Sequence, residues 1–222
     1  MKVVASAEWA CANAEYVRLP CRSPSFLLSN MPIETVCVFC GSNPGRHPDY
    51  AEAARAFGAL LADRGLRLVY GGGGAGLMGA LADGALERGG HVTGVMPEGL
   101  VAREAAHRGL TSLVVTRTMH ERKALLAEHA DAFVALPGGI GTFEELFEAW
   151  TWAGLGIHRK PVGLLNVAGY YDALAAFLDH ATTEGFLRAD LRGLLVAERS
   201  AAALLARLAE HRAALSTGRP WS

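Results

Sequence analysis

Residues 132–145 read Ala132-Phe133-Val134-Ala135-Leu136-Pro137-Gly138-Gly139-Ile140-Gly141-Thr142-Phe143-Glu144-Glu145. An apolar run of strand length stops at a proline, a glycine-rich turn follows, and acids mark a helix start. The stretch is one βα unit. Its strand is continuously apolar rather than alternating, as a parallel sheet covered by helices on both faces requires.

Outward from this unit the pattern repeats. Strands are expected at Thr35–Cys40, Leu66–Tyr70, His91–Met96, Leu113–Thr116, Ala132–Leu136 and Pro161–Leu165. Helices are expected at about 48–64, 75–89, 119–129, 142–155 and 170–183, with a last one over Ser200–Leu215. Such alternation predicts an α/β fold with a doubly wound parallel sheet. No repeat or linker divides the chain, so one domain is expected over residues 33–215. Residues 1–32 read as an arm that is disordered. Glu8, Asn13, Glu15 and Arg18 interrupt every apolar stretch there, which also removes a signal-peptide core.

The 222 residues are 51% hydrophobic, enough for one sizeable core. Lys and Arg number 21 against 22 Asp and Glu, a net charge of −1. A general nucleic-acid binder carries a basic excess, so no nucleic-acid partner is expected. No apolar run reaches the roughly 18 residues of a membrane span, and no membrane partner is expected. The cysteines are Cys11, Cys21, Cys37 and Cys40. Cys37-x-x-Cys40 has redox spacing, yet in a strand the two side chains face opposite ways. No second pair completes a zinc site. They read as buried thiols in a reducing compartment, the cytoplasm.

In folds of this kind ligands sit beyond the carboxyl ends of the strands. Four stretches fall there: Gly41–Gly45, Gly71–Gly76, Pro97–Gly109 and Pro137–Thr142. Gly71-x-Gly73-x-x-Gly76 fits a dinucleotide fingerprint in form, and equally a tight packing turn. Pro137–Glu145 is more specific. Thr142-x-x-Glu145 is also a capping box with Thr142 as N-cap, but a cap leaves the glycines around Pro137 unexplained. Amides at such a turn and helix start suit a phosphate. Met119-His120-Glu121-Arg122-Lys123 opens another helix, and with Arg103, His107, Arg108 and Arg117 it forms a local positive cluster where an anion would bind. His120 is a general-acid candidate without a positioned partner.

Pro137-Gly138-Gly139-x-Gly141-Thr142-x-x-Glu145 and Met119-His120-x-Arg122-Lys123 resemble the signatures of the LONELY GUY (LOG) family, the cytokinin-activating phosphoribohydrolases. So do Gly71–Gly79, Thr151–His158 and Lys160–Asn166, and the likeness runs from about Thr35 to Phe186. The resemblance implies a Rossmann-like homodimer that hydrolyses the N-glycosidic bond of adenine-type nucleoside 5′-monophosphates, releasing free base and ribose 5-phosphate. Arg122 and Glu145 fall on the family's catalytic pair. Glu104, Lys123, the turn Gly139-Ile140-Gly141-Thr142-Phe143-Glu144-Glu145 and Thr151 fall on its substrate contacts. Ile140 stands where plant members commonly carry tyrosine, and Val101-Ala102 stand for Met-Pro. Members are often labelled lysine decarboxylases, but no lysine here is set up to form a pyridoxal Schiff base.

Cleavage of a ribosidic C–N bond passes through an oxocarbenium-like transition state. Glu145, one turn into a helix, is expected to be ionised, the more so if Arg122 reaches it, and to stabilise that cation or activate water. Gly138, Gly139, Gly141 and Thr142 amides would hold the 5′-phosphate. Glu104 and water are the candidates for protonating the base. No metal constellation appears, and neither metal nor cofactor is expected. Two other classes share the scaffold: a non-catalytic nucleotide or cofactor carrier, and a dinucleotide oxidoreductase built on Gly71–Gly76. Phe143, Leu146, Phe147, Trp150, Trp152 and Leu155 wrap more than one face of their helix, which predicts a homodimer.

Overall fold

A computed structural model describes residues 2–5, 32–101 and 106–216. The strands are β1 (Lys2–Ala5), β2 (Thr35–Phe39), β3 (Arg67–Tyr70), β4 (Val92–Pro97), β5 (Ser112–Thr116), β6 (Ala132–Ala135), β7 (Val162–Leu165) and β8 (Leu195–Glu198). The helices are α1 (Pro48–Asp63), α2 (Gly76–Glu87), α3 (Glu98–Val101), α4 (Met119–His129), α5 (Ile140–Gly154), α6 (Asp172–Thr183), α7 (Ala189–Gly193) and α8 (Ala201–Ser216). All strands pair in parallel, in the order β1-β5-β4-β3-β2-β6-β7-β8. The chain winds outward from β2 to β5, then restarts at β6 on the other side of β2. The doubly wound expectation holds, and the order reverses between β2 and β6.

Two cores follow from the continuous apolar strands. Val36, Val38, Leu68 and Tyr70 pack under Phe57 and Leu61 of α1, Leu77 and Leu81 of α2, and Leu204 and Leu208 of α8. On the opposite face Cys37, Phe39, Val69 and Phe133 meet Leu126 of α4, Leu146 and Trp150 of α5, and Leu178 of α6. Cys37 and Cys40 lie on opposite faces as buried free thiols.

Pro48 pre-sets the first turn of α1, and Asp49 meets the positive end of its dipole. The helix stops at Gly65 (φ +69), where Leu66 N–H returns to Leu61 O at 2.9 Å and Gly65 N–H to Ala62 O at 2.9 Å. This pair of hydrogen bonds satisfies carbonyls the helix leaves open. The same closure ends α2, α5 and α6. Gly58 of α1 and Gly84 of α2 allow backbone-to-backbone contact. A Cβ at Gly58 would lie 2.0 Å from Leu81 O, and one at Gly84 2.0 Å from Arg55 O.

The structure adds elements that local pattern does not announce: β1, α3, α7 and β8. Lys2–Ala5, within the arm expected to be disordered, extends the sheet beside β5 with Lys2 opposite Ser112. Its two valines are good strand formers and β5 offers an open edge. Arm residues 6–31, Cys11 and Cys21 among them, lie outside the described residues. Among the described residues no helix is long and apolar enough to cross a membrane.

Candidate active site

A cleft of about 510 Å³ opens where the strand order reverses. Its walls include Gly41–Gly45 after β2, Gly71 after β3, Arg122 on α4, and Pro137–Thr142 after β6 with Glu145 on α5; Tyr50 and Tyr170 also line it.

The Pro137–Thr142 turn differs in detail from the capping-box expectation. The helix starts at Ile140 with Gly139 as N-cap, so Thr142 lies inside the first turn and is buried. Packing decides this. Thr142 sits on Gly138, where a Cβ would come within 2.1 Å of its Oγ1 and 2.9 Å of Gly41 N. The first N–H groups of a helix have no partner within it. Here they belong to residues that line the cleft, at the positive end of a 15-residue helix. Glu145 therefore does not close on an N-cap.

It faces Arg122 instead. Arg122 Nη1 lies 3.1 Å from Glu145 Oε1, with the two side chains only 10% and 12% exposed. Arg122 Nε donates to Val95 O at 3.1 Å, which fixes the guanidinium plane against β4. Gly71 makes room for it: a Cβ there would lie 2.6 Å from Arg122 Nη2. The first turn of α4 is held by Thr118, whose hydroxyl accepts from Glu121 N–H at 3.1 Å, while the Glu121 carboxylate accepts from Arg117 N–H at 2.8 Å. The cap motif anticipated on α5 is found in this form on α4.

Lys123, the neighbour of Arg122, points elsewhere. Its Nζ lies 2.6 Å from Glu144 Oε1 and 3.0 Å from Glu148 Oε1, bridging α4 to α5 outside the cleft lining. The hydrogen bond to Glu144 raises the pKa of the ammonium. Phe143 is half-buried against the sheet, and Thr151 is exposed, about two turns beyond Glu145. Neither lines the cleft. Ile140 does, 87% exposed at its edge. Glu104 and Arg103 lie outside the described residues. His107 turns to Asp83 at 2.9 Å rather than to an anion site. Of the expected positive cluster, only Arg122 lines the cleft among the described residues.

The Gly71–Gly76 turn serves packing and, through Gly71, the wall of the cleft. Leu77 and Met78 at the start of α2 donate to Gly41 O at 3.0 and 3.3 Å, so a backbone carbonyl takes the place a pyrophosphate would occupy. A Cβ at Gly76 (φ +60) would lie 2.3 Å from Ser42 O. The oxidoreductase reading loses its basis. Sequence reasoning missed Tyr50 and Tyr170, although Tyr170 follows the carboxyl end of β7, where ligand residues gather. Cys40 also lines the cleft, but burial and the charge of Glu145 push the pKa of its thiol up, which disfavours the reactive thiolate.

The sequence model of a family described as "Possible lysine decarboxylase" matches residues 78–208. No lysine lines the cleft among the described residues. The chain is 52% identical over 176 residues to the probable cytokinin riboside 5′-monophosphate phosphoribohydrolase LOGL5 of Oryza sativa subsp. japonica, covering 79% of this chain and 72% of that one. With LOG7 of Arabidopsis thaliana, named a cytokinin riboside 5′-monophosphate phosphoribohydrolase, identity is 49%, covering 79% and 81%. With the protein of that name from Rhodococcoides fascians it is 52%, covering 73% and 83%. Among solved structures, the molybdenum cofactor carrier protein of Chlamydomonas reinhardtii shares the fold. Its TM-score is 0.61 at 22% identity, covering 80% of this chain and 96% of that one. The signature turn, the Arg122–Glu145 pair and these relatives agree: the chain belongs to the LONELY GUY (LOG) family.

Proposed function

We propose that the protein hydrolyses the N-glycosidic bond of cytokinin riboside 5′-monophosphates and of AMP, releasing the free base and ribose 5-phosphate. The observation that carries this reading is the buried Arg122–Glu145 pair sharing one cleft with the Pro137–Thr142 turn. A binder needs the turn alone. A carboxylate beside the sugar is what bond cleavage requires.

The amides at the head of α5 hold the 5′-phosphate and set the ribose against Glu145. As the bond from C1′ to the base nitrogen lengthens, positive charge grows on the sugar, and the Glu145 carboxylate stabilises it. Water adds at C1′, and Glu145 is placed to take the proton it releases. Arg122, tied to Val95 O and paired with Glu145, keeps that carboxylate aimed. Glu104 or water protonates the departing base.

The family assignment and the exposed Leu155 (71%) and Ile157 (64%) at the end of α5 support a homodimer as the working unit. The buried thiols of Cys37 and Cys40 suit the reducing cytoplasm.

Incubation with AMP, isopentenyladenosine monophosphate and adenosine, followed by chromatography of free base, tests the activity. Base is expected from both monophosphates and little from adenosine. Comparable efficiency on adenosine and AMP rejects the phosphate role of the turn; nucleotide that binds but stays intact makes the protein a carrier. Light scattering at 23.5 kDa, the mass of a single chain, would reject the dimer.

A further inference from the structure

We infer that Tyr170 is a positioning residue of the anion site: its hydroxyl locks the Gly138–Gly139 peptide so that the turn offers amides, not carbonyl oxygens, to a phosphate. The inference rests on the proposed phosphate role of that turn.

Two adjacent glycines leave a peptide plane almost free to flip, since no side chain restrains either neighbour. A flipped plane would aim a carbonyl oxygen at the anion and repel it. Here each carbonyl on the approach is already engaged. Leu136 O accepts from Tyr171 Oη at 2.6 Å, Pro137 O from Gly41 N at 3.0 Å, and Gly138 O from Tyr170 Oη at 2.5 Å. In a trans peptide the C=O of one residue and the N–H of the next point in opposite directions. Fixing Pro137 O and Gly138 O therefore fixes the N–H groups of Gly138 and Gly139.

The brace is itself built. Asn166 Oδ1 accepts from Tyr171 N–H at 2.8 Å, and Asn166 Nδ2 donates to Asp172 Oδ1 at 2.6 Å. Arg199 Nη2 holds the other oxygen of Asp172 at 3.0 Å. Between them Ala168 adopts φ +49, a left-handed conformation that costs a non-glycine residue energy and marks an over-determined turn. Tyr170 also meets the ring of Tyr50 edge to face at 5.7 Å, so the ring stays in place without its hydroxyl.

Tyr170→Phe removes one oxygen and keeps the ring. Isothermal titration should show inorganic phosphate and ribose 5-phosphate binding about tenfold more weakly than to the wild type, with adenine binding unchanged. KM for AMP should rise by a similar factor and kcat change less than about threefold. Thermal melting should stay within a few degrees, because the hydroxyl is bonded at the cleft and not in either core. Unchanged affinity for ribose 5-phosphate overturns the inference. Equal losses for adenine and ribose 5-phosphate also overturn it, since the hydroxyl would then act on the whole cleft. Wild-type protein that binds neither phosphate nor ribose 5-phosphate sinks the anion site itself, a result separable because it needs no variant.

Discussion

Arg122 and Glu145 stand 23 positions apart, on the first turn of α4 and the second of α5, and meet at 3.1 Å in a setting nearly closed to solvent. One helix approaches the cleft from under β4 and the other from beyond β6. The pair therefore joins the two halves of the winding as well as facing the ligand.

That double duty changes the expectation for Glu145→Gln. Within a capping box the exchange would be almost harmless to folding. With Arg122 buried, it leaves a guanidinium without its counter-charge, although the amide oxygen still accepts a hydrogen bond. A stability loss on the order of 2–3 kcal/mol is expected, below the about 3–5 kcal/mol of full removal. Turnover should fall about a hundredfold or more, because a neutral amide neither stabilises an oxocarbenium ion nor takes a proton. Urea melts and single-turnover base release separate the two effects. Near wild-type release would move the catalytic carboxylate elsewhere, with Glu104 next in line.

Two glycines of one turn should respond in opposite ways. Gly138→Ala drives a methyl into Thr142 Oγ1 and Gly41 N, with nothing flexible to yield. It should cost roughly 2–3 kcal/mol as an overpacked site and abolish phosphate binding. A Cβ at Gly141 has nothing within 4 Å, so Gly141→Ala should fold as well as the wild type. Paired melting curves and phosphate titrations check both. Equal tolerance at the two positions would remove the packing argument.

Lys123→Gln tests where that side chain acts. In the structure it serves Glu144 and Glu148, not the cleft. KM for AMP should then change less than about threefold, with at most about 1 kcal/mol lost from a partly exposed bridge. A tenfold rise in KM would show that Lys123 leaves its glutamates when nucleotide binds.

Acid should weaken the fold through half-buried imidazoles. Burial lowers the pKa of His158 from 6.5 to about 4, and lowers those of His129 and His211 in the same direction. Between pH 6.5 and 4 the unfolded chain takes up protons that the folded one resists. Their contribution is thus full above pH 6.5 and drains away as pH falls towards 4, by on the order of 3 kcal/mol from His158. His158 Nδ1 accepts from Lys160 N–H at 3.2 Å, a bond asparagine can imitate. His158→Asn should flatten the fall in urea midpoint between pH 7 and 5. An unchanged slope would discard His158 as its source.

What could be read from the chain depended on distance along it. The strand, turn and helix of Ala132–Glu145 lie in adjacent residues, and the Thr35–Cys40 strand is one continuous run, so both were legible. The helix start slipped by two residues because Gly139 and Thr142 both suit an N-cap, and only the contact between Thr142 and Gly138 decides. The glycines at 71–76 gave two readings locally; Gly41 O, some 35 residues away, chose between them. Lys123 and Glu144 are 21 apart, and Tyr170 is 32 from Gly138, so no local spacing links them. β8 is no shorter than β3, β6 or β7, but its Leu195-Val196-Ala197-Glu198 run lies just before the alanine- and leucine-rich stretch of α8, so local pattern does not set it apart.

The contact of Gly58 with Leu81 and of Gly84 with Arg55 reaches further than the two helices it joins. Main chains in contact leave α1 and α2 no room to slide or tilt. Each follows directly on a loop of the cleft, α1 on Gly41–Gly45 and α2 on Gly71–Gly76, and those loops inherit the same stiffness. Under the proposed function, such a frame is expected to select its guest by fit. Ordering built into the frame beforehand would leave little affinity to be lost to induced motion when a nucleotide binds, and a base too large for it is expected to be refused.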